Sequence, residues 1–127
     1  ENNLEKNIIL AGPSEEVNLY MSGIDIHILS SLDESFPNVI AEAMICGTPC
    51  VATDVGDTRI MLSDLGWLCP PKNPSLLCES ISCSLTDYFD QKTFIKESHE
   101  AKCQAYILEN FSFSKMLCSF NKAWFME

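Results

Sequence analysis

The apolar positions fall into short blocks, some alternating or continuous over a few residues and others spaced three and four apart. That switching is the mark of strands interleaved with helices. Residues 7–11 form a short apolar run closed by Gly12-Pro13, which predicts a buried strand ending in a turn. Residues 15–22 carry Val17, Tyr20 and Met21 at helical spacing, with Ser14 placed to cap the start and Gly23 to end the helix. A second strand is predicted over 24–29 and a polar loop over 30–35. Residues 37–45 predict a helix: Pro37 suits its first turn, Val39, Ile40, Ala43 and Met44 make one stripe, and Gly47 stops it. A third strand follows at 49–53, a loop at 54–57, one short helix at 58–62, and a short strand at 66–69 before Pro70-Pro71. Asn73-Pro74 opens a longer helix running through Leu76, Leu77, Ile81 and Leu85. The remainder reads as helical, with Phe94, Ala101, Ala105 and Leu108 on one face and Leu117, Phe120 and Trp124 on another, separated by Asn110-Phe111-Ser112.

This order predicts the α/β class, a Rossmann-like parallel sheet flanked by helices. A chain of 127 residues fits a single domain. Ligands on such sheets bind at the carboxyl ends of the strands, so the chemistry is expected among loops 12–14, 30–36, 53–57 and 69–73. A 46% hydrophobic composition argues against disorder, and no apolar run reaches the roughly 18 residues of a membrane-spanning helix. The chain starts at Glu1 without a recognisable signal segment, and it reads as part of a longer polypeptide.

Eight Lys and Arg against 18 Asp and Glu leave a net charge of −10. That excludes a basic nucleic-acid face and disfavours unaided docking on anionic lipid. A phosphate-bearing ligand would have to rely on backbone amides or a helix N-terminus, against the field of the whole chain. Seven cysteines, an odd number with no C-x-x-C, read as reduced and mostly buried thiols of a cytoplasmic protein. Cys46 and Cys50 supply half a metal site, but His27 and His99 stand alone, so no metal is expected. His27 alternates with Ile26 and Ile28, and a satisfied structural histidine is the expectation there. Trp124, Phe125 and Met126 are expected to pack rather than to meet a membrane, since residues 114–127 hold few lysines.

Residues 30–49 carry the most specific signal. Glu34 falls on a loop, and Glu42, eight positions on, lies well inside the predicted helix. They are therefore placed to reach two parts of one extended ligand rather than to act as a close pair. Between them is a helix N-terminus, where the amides of Phe36, Asn38 and Val39 are candidate free donors, while Pro37 has no N–H and contributes geometry only. An anion on those amides, flanked by two carboxylates that accept from hydroxyls, suits a nucleotide diphosphate sugar.

The ordered set Glu34-x7-Glu42, Phe36-Pro37-Asn38, Glu42-Ala43-Met44, Cys46-Gly47-Thr48-Pro49 and Val51-Ala52-Thr53-Asp54-Val55-Gly56 resembles the retaining GT-B glycosyltransferases of the group 1, glycosyltransferase 4 type. Residues 7–14, the Pro70-Pro71 turn with the helix after it, and Asn110-Phe111-Ser112 extend the likeness over most of the chain. The resemblance implies a donor-binding domain of a two-domain enzyme, with no metal and a nucleotide sugar as substrate. It implies that Glu34 acts at the donor sugar near the reacting carbon. Backbone from Ser35, Phe36, Pro37, Asn38 and Val39 would contact sugar and pyrophosphate, Glu42 the ribose, and Gly12-Pro13 the base. Partners implied are the nucleotide sugar and an acceptor domain of the same polypeptide, with a glycan or lipid-linked acceptor in polysaccharide biosynthesis. Peripheral attachment to an inner membrane would run through that other domain.

Two departures from the pattern matter. Ser35 stands where the family commonly has glycine, so a Cβ enters the sugar region. The family's basic pair for the pyrophosphate falls before Glu1, so this chain is expected to bind donor weakly and to turn over nothing alone. Two other functions fit the same sheet: a sugar-nucleotide epimerase of GT-B fold, and a non-catalytic α/β interaction module.

Overall fold

The computed structural model describes residues 4–89 and 93–125, with the side chains of Phe89 and residues 93–96 outside that description. Three parallel strands, β1 (His27–Leu29), β2 (Cys50–Thr53) and β3 (Trp67–Cys69), form a sheet in that order, with Leu29 opposite Ala52 and Ala52 opposite Leu68. Among the described residues the helices are α1 (Val17–Gly23), α2 (Asn38–Ile45), α3 (Thr58–Leu62), α4 (Pro74–Phe89), α5 (Thr93–Phe111) and α6 (Phe113–Phe125). The expected α/β class is the one that forms, and the helix expected over 58–62 is α3, residue for residue.

Strand alternation sorts the sheet into two faces. Leu29, Ala52 and Leu68 share one face, and the buried Ile40, Ala43 and Met44 of α2 and Met61 and Leu62 of α3 join them in one core. Helix α5 lies on α2 and adds Cys103 and Ile107 to that core. On the opposite face Val51 is fully buried, and α4 packs along β2 and β3. The turn after α2 is compact because Gly47 takes a φ of +82°, a region that costs other residues strain. A Cβ there would also sit 3.3 Å from Cβ of Glu100 on α5. The Thr48 hydroxyl next to it donates to the carbonyl of Met21, tying α2 back to α1.

Several expectations are corrected. Residues 7–11 form no strand, and Ile9 and Leu10 are 90% and 93% exposed. The connection that would lay this run on β1 is α1, which buries no residue and so offers little to hold it. Helix α1 begins two residues late, and Ser14 accepts from the Glu16 amide (3.0 Å) just before it. The buried face of α5 is that of Cys103 and Ile107, whereas Ala101, Ala105 and Leu108 are exposed; the Phe94 side chain lies outside the described residues. Three cysteines are buried (Cys50, Cys69, Cys103), Cys46 is half-buried, and Cys78, Cys83 and Cys118 are exposed, all as free thiols. His27 is half-buried, but its Nε2 is buried without a partner, so the histidine is not satisfied. Trp124 and Phe125 are exposed instead of packing into the core, with Trp124 stacked on the exposed Phe120 (centroids 5.5 Å, 11°); Met126 lies outside the described residues.

Candidate functional site

At the carboxyl ends of β1 and β2 two loops close on each other. The amide of Asp57 donates to the carbonyl of Ser35 (3.0 Å). Gly56 comes so near that a Cβ on it would lie 2.1 Å from the Glu34 carbonyl oxygen and 2.7 Å from that of Ser35. The base of the pair is fixed by Thr53, whose hydroxyl reaches across from the end of β2 and donates to the carbonyl of Ser31 (2.7 Å). On the other side, the Thr58 hydroxyl donates to the Val55 carbonyl (2.6 Å) and closes the turn into α3. The sequence folds this way because it places glycine where the two backbones meet and a hydroxyl at each flank.

The Glu34 carboxylate stands in this junction, half-buried, with Oε1 accepting from the Ser31 hydroxyl at 2.7 Å. A hydrogen bond to one oxygen fixes the carboxylate plane and leaves its other oxygen available to a ligand hydroxyl. Helix α2 starts four residues further on. Pro37, expected as the first helical residue, sits instead at the N-cap position (φ −77°, ψ 83°) and is fully buried, so α2 starts one residue later than expected. The expected row of free amides is shorter than the spacing suggested. The Asn38 N–H is turned back onto the carbonyl of Phe36 (2.9 Å), leaving Phe36 and Val39 as candidate donors. No acidic side chain occupies the first turn of α2, so the positive end of the helix is not neutralised locally.

Glu34, Ser35, Phe36, Pro37, Asn38 and Val39 are thus brought together at one sheet edge. Glu42 is exposed on α2, four positions past Asn38 and about 6 Å further along the axis, so the two carboxylates are spread rather than paired. Gly12 and Pro13 are exposed in an irregular segment, and no hydrogen bond among the described residues joins them to the Glu34 loop. Among the described residues no three His, Cys, Asp or Glu side chains gather as a metal site, and no helix is long and apolar enough to cross a membrane.

Three contributors had no site role in the sequence reading. Ser31 donates its hydroxyl hydrogen to the carboxylate of Glu34 three positions on in the same loop, a pairing the polar run 30–35 did not single out. Arg59, the sequence's only arginine, pairs with Asp54 beside the loop; both partners are too exposed for the pair to stabilise the fold by much. Phe111, at the end of α5, has its ring centroid 5.8 Å from that of Phe36. No local pattern could have revealed that contact, which joins residues 75 positions apart.

The comparisons with known proteins bear on this arrangement. Over 68 residues the chain is 37% identical to an N-acetyl-alpha-D-glucosaminyl L-malate synthase of Bacillus anthracis, covering 52% of this chain and 18% of that protein. It is 33% identical over 101 residues to an exopolysaccharide phosphotransferase of Streptomyces coelicolor, covering 76% of this chain and 11% of the relative. It is 32% identical over 82 residues to the gpi3 subunit of the phosphatidylinositol N-acetylglucosaminyltransferase of Schizosaccharomyces pombe, covering 64% and 18%. The chain therefore spans less than a fifth of the length of each of these relatives. Residues 1–87, more than half of the chain and inclusive of both loops and α2, match the glycosyl transferases group 1 family, and the chain belongs to that family.

Proposed function

We propose that this chain is the donor-binding unit of a retaining glycosyltransferase that moves a sugar from a nucleotide diphosphate to a glycan or lipid-linked acceptor. The observation that carries the reading is the closure of the Gly56 loop on the Glu34 loop, which sets an oriented carboxylate beside a helix N-terminus at the strands' carboxyl ends. In this reading Glu34 accepts hydrogen bonds from donor-sugar hydroxyls near the reacting carbon. The amides of Phe36 and Val39, with the helix dipole, face the diphosphate. As the bond between the anomeric carbon and the diphosphate breaks, the electron pair leaves with the phosphate oxygen, and preorganised donors stabilise that growing charge. Glu42 faces the ribose and the Gly12-Pro13 segment the base. No step needs a metal, and the acceptor is held by a second domain of the longer polypeptide.

The names of two relatives, each with an N-acetylglucosaminyl group in it, make UDP-N-acetylglucosamine the first donor to try. Amide shifts of the chain are followed at low salt as UDP-N-acetylglucosamine, GDP-mannose, UDP, GDP and ADP are added. Perturbations centred on residues 34–39 and 42, weakened in Glu42→Ala, are expected. Silence toward every nucleotide, also in a version extended at the N-terminus, would overturn the reading and leave an interaction module. Product analysis on the longer polypeptide separates transfer to an acceptor from release of an epimerised sugar nucleotide.

A further inference from the structure

The loop that carries Glu34 is held from outside by the end of α5. Phe111, the last residue of that helix, meets Phe36 with ring centroids 5.8 Å apart at 58°, and meets Tyr106 one turn back at 5.9 Å and 66°. Tyr106 in turn donates its hydroxyl hydrogen to the carbonyl of Ile60 in α3 (2.8 Å). Helix α3 follows directly on Asp57, whose amide holds Ser35. The end of α5 therefore grips both walls of the junction, Phe36 by its ring and the Gly56 side through Tyr106 and α3.

Cys103 and Ile107 anchor α5 from within the core; Phe111, half-buried, packs against the edge of that core and carries its ring out to Phe36, which is 44% exposed. A ring held by the core on one side and leaning on an exposed loop residue on the other passes the order of the helix end to the loop. Immediately after it the helix breaks at Ser112, whose Oγ accepts from the Lys115 amide (3.3 Å) and starts α6. Phe111 is thereby held at a fixed helix end rather than within a continuous rod.

We infer that Phe111 is a positioning residue of the donor site: its ring fixes Phe36, and with it the segment from Glu34 to the start of α2, in the shape that receives the nucleotide sugar. This rests on the donor-site reading above. It adds a residue that touches neither sugar nor phosphate.

The test compares the chain with Phe111→Ala and Phe111→Tyr by amide hydrogen exchange and by titration with UDP-N-acetylglucosamine and GDP-mannose. In Phe111→Ala, exchange at the bonded amides of residues 38 and 57 rises tenfold or more while residues 50–53 change less than twofold, and the donor Kd rises three- to tenfold. Phe111→Tyr, which keeps the ring, restores both. Exchange that rises equally in 50–53 makes Phe111 a core residue and overturns the proposal. So does unchanged exchange at 38 and 57, or unchanged donor affinity once exchange has risen. Silence of the wild-type chain toward every nucleotide, also in a version extended at the N-terminus, removes the donor-site reading and this role together, whereas wild-type binding with an unaffected Phe111→Ala removes this role alone.

Discussion

Glu34 and Gly56 meet backbone to backbone, with room for a hydrogen atom but not for a side chain: a Cβ at residue 56 would stand 2.1 Å from the Glu34 carbonyl oxygen. The φ of Gly56 is +52°, in the left-handed region, so steric and conformational demands coincide at one residue. A side chain can enter only if the two loops separate, which moves the Glu34 carboxylate and the start of α2 together. Gly56→Ala is expected to lower stability by about 1–3 kcal/mol and to weaken nucleotide-sugar binding tenfold or more. Urea melts and the donor titration check this pair of effects, and a variant with native affinity would show that the junction does not shape the site.

Ser31 is the next lever on the same carboxylate. Its hydroxyl donates to Glu34 Oε1 at 2.7 Å in a part-buried setting. A hydrogen bond of this kind contributes a net ~0.5–1.5 kcal/mol, so Ser31→Ala is expected to weaken donor binding about two- to tenfold with little change in stability. In a Glu34→Ala background the same Ser31→Ala change should have no further effect, because the coupling is confined to the pair. Additive losses in the double variant would show that Ser31 acts elsewhere.

How much of this was legible in the sequence follows from the range of each interaction. The three strands, α2 and α3 came from local periodicity, and the Glu34-to-Gly56 run falls at the strands' carboxyl ends. The strand expected at residues 7–11 failed because an apolar run becomes a strand only when something covers it, and α1 buries nothing there. The face chosen for α5 was wrong because its alanines and Leu108 make as good a stripe as Cys103 and Ile107. Only the position of α2 decides between them. The amide of Asn38 was misjudged because its turn back onto Phe36 depends on the backbone entry at Pro37, not on residue type. The sequence marked Phe111 only within Asn110-Phe111-Ser112, and its contact with Phe36 was not legible because it is purely tertiary.

The cysteines give a chemical test of the fold. Burial pushes the Cys50 thiol far up and that of Cys103 to about 11, and each also opposes a neighbouring negative charge, Cys103 for Cys50 and Glu100 for Cys103. At pH 8 an alkylating reagent should therefore label the exposed Cys78, Cys83 and Cys118 and spare Cys50 and Cys103. Intact-mass analysis counts the adducts; rapid labelling of Cys103 peptides would mean that α5 does not stay on α2. The same shift sets an alkaline limit. The unfolded thiol loses its proton near 9 while folded Cys103 keeps it to about 11, so stability is full below 9 and falls between those values, by roughly 1–3 kcal/mol.

Helix α6 holds an apolar stripe that nothing among the described residues covers: Phe113, Leu117, Phe120 and Trp124 are 69%, 44%, 58% and 72% exposed. Phe120 and Trp124 gain their mutual stacking but little burial. Charged replacement there should cost the fold less than about 0.5 kcal/mol and should reduce self-association of the chain. Phe120→Glu with Trp124→Glu is expected to leave the urea midpoint nearly unchanged and to lower light scattering at high concentration. A large drop in the midpoint would show that the stripe is packed in solution.

His27 sets the acid limit. Its Nε2 is buried without a partner, and burial pushes its pKa below 6.5, so the folded chain holds the neutral ring. The unfolded chain takes up a proton near 6.5. Stability is therefore complete above that pH and falls as the pH drops below it. His99 follows the same direction, lowered first by burial and then by the charge of Lys102 against an opposing pull from Glu100, so removing His27 removes one share of the acid loss. His27→Leu has no orphaned nitrogen and keeps an apolar side chain on the core face of β1 opposite Cys50. It is expected to match or exceed the native chain at pH 7.5, by up to about 1 kcal/mol, and to lose less than the native chain on going to pH 5. Urea midpoints of both proteins at the two pH values decide it, and an equal acid loss in the variant would mean that His27 is protonated in the fold without penalty.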